Sequence, residues 1–117
     1  MISGESGSGK TETCFELEKL GFRFLADDAV ELLTDGSAIF GRPIKATAGI
    51  AHRKTFGFVA IKSDIEPVHV RCEMLIDETY PFSYFLMCQS DIVHRRIEKC
   101  APFRAAEQIH TLVKGLV

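Results

Sequence analysis

The sequence contains 117 residues, of which 46% are hydrophobic and 26% are charged, and its formal net charge is −2. This length suffices for one domain with a hydrophobic core but not for two, so we predict a single domain over residues 1–117. The slightly acidic balance argues against binding to nucleic acid or to an anionic membrane. No apolar run approaches the ~20 residues of a membrane span and no signal peptide is recognised, so we expect a cytoplasmic protein.

The first element is a glycine-rich loop over residues 4–11, with the sequence GESGSGKT. It fits the phosphate-binding pattern G-x-x-x-x-G-K-[ST]. The glycines let the backbone approach a polyphosphate closely, and the N-terminus of the following helix adds partial positive charge. Lys10 supplies a cation for the terminal phosphates, and the Thr11 hydroxyl is the expected magnesium ligand. A chance loop rich in glycine and serine is the alternative.

Only residues 1–3 precede this loop, which is fewer than the ~5 residues of an ordinary strand. Either the chain was cut from something longer, or its first strand is a stub. An unpaired sheet edge at this point would favour pairing with a second chain, so we expect a homo-oligomer.

A helix and a short strand are predicted next. Residues 11–20 carry apolar side chains at helical spacing and are followed by Gly21, which is a good C-terminal stop. Residues 22–26 read as a strand. An Asp-Gly pair at 35–36 lies between two apolar runs and predicts a hairpin, which residues 41–43 are expected to end.

The second half of the chain alternates strands and helices. We predict a loop over 45–55, followed by strands over 56–62, 68–76 and 84–88. The period of two within 68–76 indicates one core face and one largely polar face. Ser90 is predicted to cap a helix that reaches about Cys100, and Pro102 to open a last helix. The apolar stripe predicted for this last helix consists of Phe103, Ala106, Ile109, Val113 and Leu116. This order predicts a mixed α/β fold with a largely antiparallel central portion and two C-terminal helices.

A pair of adjacent carboxylates, Asp27 and Asp28, ends the strand predicted after the glycine loop and its helix. Ligands of α/β sheets bind beyond the carboxyl ends of strands, so this pair is placed to act with the loop. One carboxylate can hold magnesium together with the Thr11 hydroxyl, and the other can act as a general base toward a substrate hydroxyl. The alternative is a solvated acidic turn.

Other polar and aromatic residues favour structural interpretations. The cysteines lie among apolar residues and are read as small buried hydrophobes in a reducing compartment; a zinc site formed by Cys72, Cys88, Cys100 and a histidine is the alternative. His69 and His94 are expected at the surface. Arg95 and Arg96 are expected on an exposed helix face, with an arginine finger as the alternative. Six phenylalanines are expected in core strands: Phe22, Phe24, Phe56, Phe58, Phe82 and Phe85.

Three runs of the sequence resemble the catalytic domain of HPr kinase/phosphorylase and of the broader HPr-kinase-like proteins. They are GESGSGKTET at 4–13, LEKLGFR at 17–23 and LADDAVE at 25–31, and GRPI at 41–44 is similar to a segment of the shorter related proteins. The resemblance implies an ATP-dependent serine kinase whose fold is similar to the nucleotide domain of phosphoenolpyruvate carboxykinase. It also implies that Lys10 contacts the β- and γ-phosphates, that Thr11 and Asp27 hold magnesium, and that Asp27 and Asp28 share the metal-linked and base roles.

One departure from the family lies in residues 45–58, which stand in place of its Glu-x-Arg-Gly-x-Gly segment. His52, Arg53 and Lys54 could supply positive charge to a transferring phosphate from there, and a solvated basic loop is the alternative. Glu12 is interpreted either as part of the nucleotide site or as an ordinary acid in the first turn of a helix.

These observations combine into one functional hypothesis. We expect an ATP- and Mg2+-dependent phosphotransferase that acts on a serine or a small hydroxyl acceptor. The expected nucleotide-binding residues are Gly4, Glu5, Ser6, Gly7, Ser8, Gly9, Lys10, Thr11 and Glu12. The expected catalytic residues are Lys10, Asp27 and Asp28. The alternatives are a non-catalytic nucleotide- or phosphate-binding module that completes its sheet with a partner, and a small-molecule kinase or carboxykinase-like enzyme.

Overall fold

The computed structural model describes residues 1–5, 7–27, 29–53, 56–61, 66–76 and 91–116. Eight strands and two helices lie in these residues. The strands are β1 (Ile2–Ser3), β2 (Val30–Asp35), β3 (Ala38–Pro43), β4 (Ile50–Arg53), β5 (Gly57–Ala60), β6 (Val68–His69), β7 (Cys72–Ile76) and β8 (Val93–Ile97). The helices are α1 (Lys10–Lys19) and α2 (Pro102–Leu116).

The strands form three separate groups. A parallel sheet has the order β1-β7-β8, an antiparallel sheet has the order β2-β3-β6, and β4 and β5 form a hairpin of their own. The mixed α/β class is therefore confirmed. The predicted antiparallel central portion is confirmed for β2 to β6, which pair only antiparallel in the described residues. The sheet that carries the glycine loop is instead parallel, with Ile2 paired to Met74 and Cys72 paired to Val93.

The central strand β7 is buried on both faces. Glu73, Met74, Leu75 and Ile76 each have at most 1% of their surface exposed. The prediction of one polar face in 68–76 is wrong for this part, because β7 has neighbours on both edges and a layer of structure on each face. A strand covered in this way hides a polar side chain as completely as an apolar one.

Both helices pack on one face of the parallel sheet. Leu17 of α1 and Ala106 and Ile109 of α2 form one buried cluster with Met74 and Ile97. This packing confirms the predicted helix that starts at Pro102, although its apolar stripe is narrower than expected. Phe103 and Leu116, at its two ends, are 52% and 42% exposed.

Several predicted elements differ from the structure. The helix predicted from Ser90 to Cys100 is wrong, since residues 93–97 form strand β8 beside β7. Residues 22–26 form no regular strand, and residues 50–53 of the predicted loop at 45–55 form strand β4. The hairpin at 35–36 is confirmed, but β3 continues through Pro43. The strand predicted at 84–88 lies outside the described residues.

The predictions for the phenylalanine and histidine side chains are confirmed at some positions and wrong at others. Phe24 is buried as expected, whereas Phe56 and Phe58 are 69% and 78% exposed on the β4–β5 hairpin, so the prediction of core positions is wrong for them. Phe82 and Phe85 lie outside the described residues. His94 is half-buried, with Nδ1 3.2 Å from Glu73 Oε1, and not a plain surface residue.

Cys14, Cys72 and Cys100 are half-buried, and Cys88 lies outside the described residues. Across the part of the chain that the structure describes, no helix is long and apolar enough to cross a membrane.

Candidate functional site

The glycine loop takes a backbone shape that depends on glycine at three positions. Gly4, Gly7 and Gly9 have φ angles of 155°, 83° and 92°, a range that residues with a Cβ rarely adopt. Gly4 also lies close to its surroundings, because a Cβ there would stand 2.7 Å from Ser8 Oγ and 2.9 Å from the Ile76 carbonyl oxygen. The Ser8 N–H donates to the Glu5 carbonyl over 3.0 Å and closes the turn. Ser6 lies outside the described residues.

The N-terminus of α1 opens directly onto this loop. The cap residue is Gly9, which has no side chain to bond the first N–H groups, and the first i→i−4 bond runs from the Thr13 N–H to the Gly9 carbonyl. The N–H groups of the first turn therefore have no intrahelical acceptor. Together with the helix dipole they form a site suited to an anion.

Lys10 places its ammonium group across the loop. Its Nζ donates to the Gly4 carbonyl oxygen at 2.7 Å, so the side chain folds back over the turn instead of extending into solvent. The ammonium therefore lies beside the loop that precedes the N-terminus of α1, where both can act on the oxygens of a polyphosphate.

Thr11 and Asp27 are brought together as the sequence predicts. The Thr11 hydroxyl donates to Asp27 Oδ1 at 2.7 Å, and the His52 backbone N–H donates to Asp27 Oδ2 at 3.0 Å. Asp27 is only 9% exposed, so both of its oxygens have partners in a largely buried setting. Asp28 lies outside the described residues.

Glu12 faces the β4–β5 hairpin. Its two oxygens accept from Arg53, Oε2 from Nε at 3.1 Å and Oε1 from Nη2 at 2.8 Å. This hydrogen bonding raises the pKa of Arg53 above its ordinary value. The guanidinium also lies over the Phe15 ring, 4.3 Å from its centroid. Sequence reasoning named both residues without pairing them, although an acid in the first helical turn and a basic segment were visible signals.

A small cluster anchors the hairpin beneath these polar contacts. Phe24, Ala51 and Ile61 are buried together, and Cys14 and Phe15 of α1 pack against them. Burial raises the pKa of the Cys14 thiol from 9.0 to about 12. His52 contacts Phe58 edge to face, with ring centroids 5.1 Å apart, and Lys54 lies outside the described residues.

A buried polar network behind the loop was missed by sequence reasoning. Glu73 is fully buried, its Oε2 accepts from the Ser3 hydroxyl at 2.6 Å, and its Oε1 lies 3.2 Å from His94 Nδ1. Ser3 directly precedes the first glycine of the loop, so this network ties the loop to the centre of the sheet. A cavity of about 750 Å³ lies beside it, and Ser3, Gly4, Lys10 and Asp27 are among the residues that line it.

The donor set near Thr11 is incomplete for a metal held by protein alone. Within the described ranges no group of three or more His, Cys, Asp or Glu side chains could hold a metal ion. A hydroxyl and a carboxylate nevertheless fit a hard cation that takes its remaining ligands from water and substrate phosphates, as Mg2+ does.

Comparison with known proteins identifies similar sequences over half of the chain. The HPr kinase/phosphorylase of Clostridium beijerinckii is 39% identical over 61 residues, which are 52% of this chain and 20% of that protein. The HPr kinase/phosphorylase of Clostridium tetani is 38% identical over 63 residues, 54% of this chain and 21% of that protein. The chain thus matches only about a fifth of the length of these relatives. No protein-family model matches the chain.

A solved structure, that of the Hpr(Ser) kinase/phosphatase from Coxiella burnetii, has the same fold. The superposition gives a TM-score of 0.75 and covers 97% of this chain and 79% of that chain, at 16% sequence identity.

Proposed function

Because the chain contains an HPr kinase-like domain, we propose that it binds ATP with Mg2+ and transfers the γ-phosphoryl group to a hydroxyl acceptor. The observation that carries this proposal is the Thr11–Asp27 hydrogen bond of 2.7 Å at the mouth of the glycine loop. It joins a hydroxyl and a carboxylate suited to Mg2+ to a loop suited to phosphate, and phosphoryl transfer depends on that combination.

The nucleotide is held mainly by its phosphates in this proposal. The N–H groups of the first turn of α1 bind the phosphate oxygens, and Lys10 moves its ammonium from the Gly4 carbonyl to the β- and γ-phosphates. These groups are fixed before the reaction, so they stabilise the charge on the transferring group at little reorganisation cost.

Thr11 and Asp27 are the proposed residues at the metal. The Thr11 oxygen keeps lone pairs free while its hydrogen is donated to Asp27, so it can serve as a ligand and remain oriented. Asp27 holds Thr11 in place and contributes negative charge near the cation, directly or through water. Bound Mg2+ neutralises charge that develops on the phosphate oxygens.

Asp28 is the proposed general base. It directly follows Asp27 in the sequence, and a carboxylate beside the metal-linked one can serve as a base toward the acceptor hydroxyl. In the reaction the acceptor oxygen forms a bond to the γ-phosphorus and the bond to the β–γ bridging oxygen breaks. The acceptor proton passes to the Asp28 carboxylate, and ADP leaves.

The acceptor class is open to a direct experiment. The chain would be incubated with γ-labelled ATP and Mg2+ together with HPr, serine peptides or small hydroxyl compounds. Label on a protein or peptide serine supports the proposal, and label on a metabolite identifies a small-molecule kinase. Tight ATP binding without transfer to any acceptor would contradict catalysis and leave a nucleotide-binding module. Asp28→Asn is the matched control, because it should bind ATP normally and transfer nothing.

We also propose that copies of the chain associate. In the described part of the parallel sheet, β1 has β7 on one side and no strand on the other. An edge of this kind can pair with a second chain. Light scattering during size-exclusion chromatography measures the mass directly, and a value of 13.0 kDa for the eluting species would contradict this proposal.

A further inference from the structure

The β4–β5 hairpin is attached to helix α1 by Arg53, which forms two hydrogen bonds to one glutamate of that helix. Arg53 meets Glu12 through two parallel bonds of 2.8 and 3.1 Å, although the two residues are 41 positions apart in the sequence. A fork of this kind fixes orientation as well as distance. The Phe15 ring lies against the guanidinium at 4.3 Å, which limits its movement further.

A second arginine–glutamate pair in the same protein provides a comparison. Arg42 of β3 donates to Glu31 of β2 through Nε alone at 3.0 Å, and both side chains are about 40% exposed. This exposed pair spans neighbouring strands that backbone hydrogen bonds already join. The Arg53–Glu12 pair, whose side chains are 27% and 32% exposed, instead joins two elements that are distant in the chain.

The position of Arg53 gives this contact a consequence at the site. Its neighbour in β4 is His52, whose backbone N–H donates to Asp27 Oδ2 at 3.0 Å. A hairpin held on α1 by Arg53 therefore presents that N–H to Asp27 at a fixed position. With Oδ2 bound in this way, Oδ1 faces the Thr11 hydroxyl.

We propose that Arg53 is a positioning residue for the metal-binding pair: through Glu12 it holds the β4–β5 hairpin against α1, so that the His52 N–H orients Asp27 toward Thr11. This inference deepens the proposed function and rests on it for its metal-dependent part. Contacts that orient a ligand from behind typically change metal affinity 10- to 100-fold, so we expect about a 10-fold effect.

The test compares nucleotide affinity with and without metal. The dissociation constant of ATP is measured by calorimetry in excess Mg2+ and again in EDTA. The constant in EDTA divided by the constant in Mg2+ reports how much the metal contributes to affinity. Arg53→Met should lower this ratio about 10-fold and leave the EDTA value unchanged. Arg53→Lys, which keeps the charge but loses the fork, should recover part of the ratio. Arg42→Met removes the comparison pair and should leave both constants unchanged.

A double-mutant cycle checks that Arg53 acts through Glu12. Glu12→Gln and Arg53→Met should each lower the ratio, and the double variant should lower it no further than either single variant. Additive effects would overturn the proposal, and so would a ratio unchanged in Arg53→Met or lowered equally in Arg42→Met. Glu12→Gln preserves the shape of its side chain and replaces Arg53→Met if that variant does not fold.

A second readout needs no nucleotide. The hydrogen-exchange protection of the His52 amide should fall about 10-fold in Arg53→Met and stay constant in Arg42→Met, because one bond to Asp27 is then less well held. If the unaltered protein binds no ATP in either condition, the proposed function fails, and the His52 amide alone decides the positioning role. Unchanged protection of that amide would overturn it.

Discussion

The parallel sheet and the β4–β5 hairpin both contact helix α1, but different interactions hold them. In the parallel sheet, Met74, Leu75 and Ile76 have at most 1% exposure, and two helices cover one face. The hairpin exposes Phe56 and Phe58 and is attached through a small cluster and the contacts of its β4 strand. We infer that the sheet supplies the stable base of the proposed phosphate site, and that the hairpin orients Asp27 at one side of it.

Because of this difference, we expect the sheet to determine the stability of the fold and the hairpin to determine the geometry around Asp27. A region with deep burial opens only with global unfolding, whereas a region held by few buried contacts can open by itself. Asp27 lies where the two regions meet, with one oxygen bonded to a side chain of α1 and the other to the backbone of β4. Changes in the sheet should therefore alter unfolding, and changes in the hairpin should alter the site.

The largest expected effect on stability comes from truncating a core residue of the sheet. Met74→Ala should lower the free energy of unfolding by about 3 kcal/mol, because it removes most of a side chain that is 1% exposed and belongs to a buried cluster. The matched change Phe58→Ala on the hairpin should cost less than about 0.5 kcal/mol, since that ring is 78% exposed. Urea denaturation measures both values, and equal losses would contradict the division between the two regions.

A smaller effect is expected from adding a methyl group to the loop where it meets the sheet. Gly4→Ala should cost about 2 kcal/mol, because its Cβ would lie 2.9 Å from the Ile76 carbonyl at a φ of 155°. Gly7→Ala should cost about 1 kcal/mol, since its φ is 83° and no atom lies within 4 Å of the added Cβ. Thermal unfolding of the two variants measures both costs. A larger loss of stability in Gly7→Ala than in Gly4→Ala would contradict this prediction.

The smallest expected effect is a pH-dependent loss of stability that involves Cys14, which packs against the cluster beneath the hairpin. The pKa of Cys14 is raised by burial from 9.0 to about 12, so the folded state holds this proton more tightly than the unfolded state. The associated stability is complete below pH 9.0 and is lost as the pH rises toward about 12. Between pH 7.5 and 10.5, the unaltered protein should therefore lose more stability than Cys14→Ala in urea denaturation. Cys100→Ala is the control, and its stability should change with pH as that of the unaltered protein does. The same pH dependence of stability in all three proteins would contradict the burial of the Cys14 thiol.

Local geometry was largely predictable from the sequence. The glycine loop, α1, the hairpin at 35–36 and the last helix all depend on residues close together in the chain, whose types restrict the backbone directly. The expected proximity of Thr11 and Asp27 also agrees with their hydrogen bond, since a carboxylate that ends the segment after a phosphate-loop helix returns to the loop. The functional roles of these residues, and the single domain over 1–117, stay predictions.

Contacts between distant segments were not predictable in the same way. Val93 and Ile97 are spaced as on a helix, yet they lie in strand β8 because pairing with β7 outweighs a weak local preference. The burial of Glu73 depends on layers that cover both faces of β7, and periodicity within one strand carries no information about such layers. The Arg53–Glu12 pair likewise depends on how a hairpin packs on a helix, which no spacing of residues indicates.

The most direct test of the central claim is the affinity of the glycine loop for nucleotide. The dissociation constant of MgATP would be measured by calorimetry for the unaltered protein and for Lys10→Ala, with Lys19→Ala as a control for loss of an exposed charge on the same helix. The account predicts that Lys10→Ala abolishes measurable binding and that Lys19→Ala binds normally, because Lys10 provides the cation over the loop. Equal MgATP affinity in the unaltered protein and Lys10→Ala would contradict it.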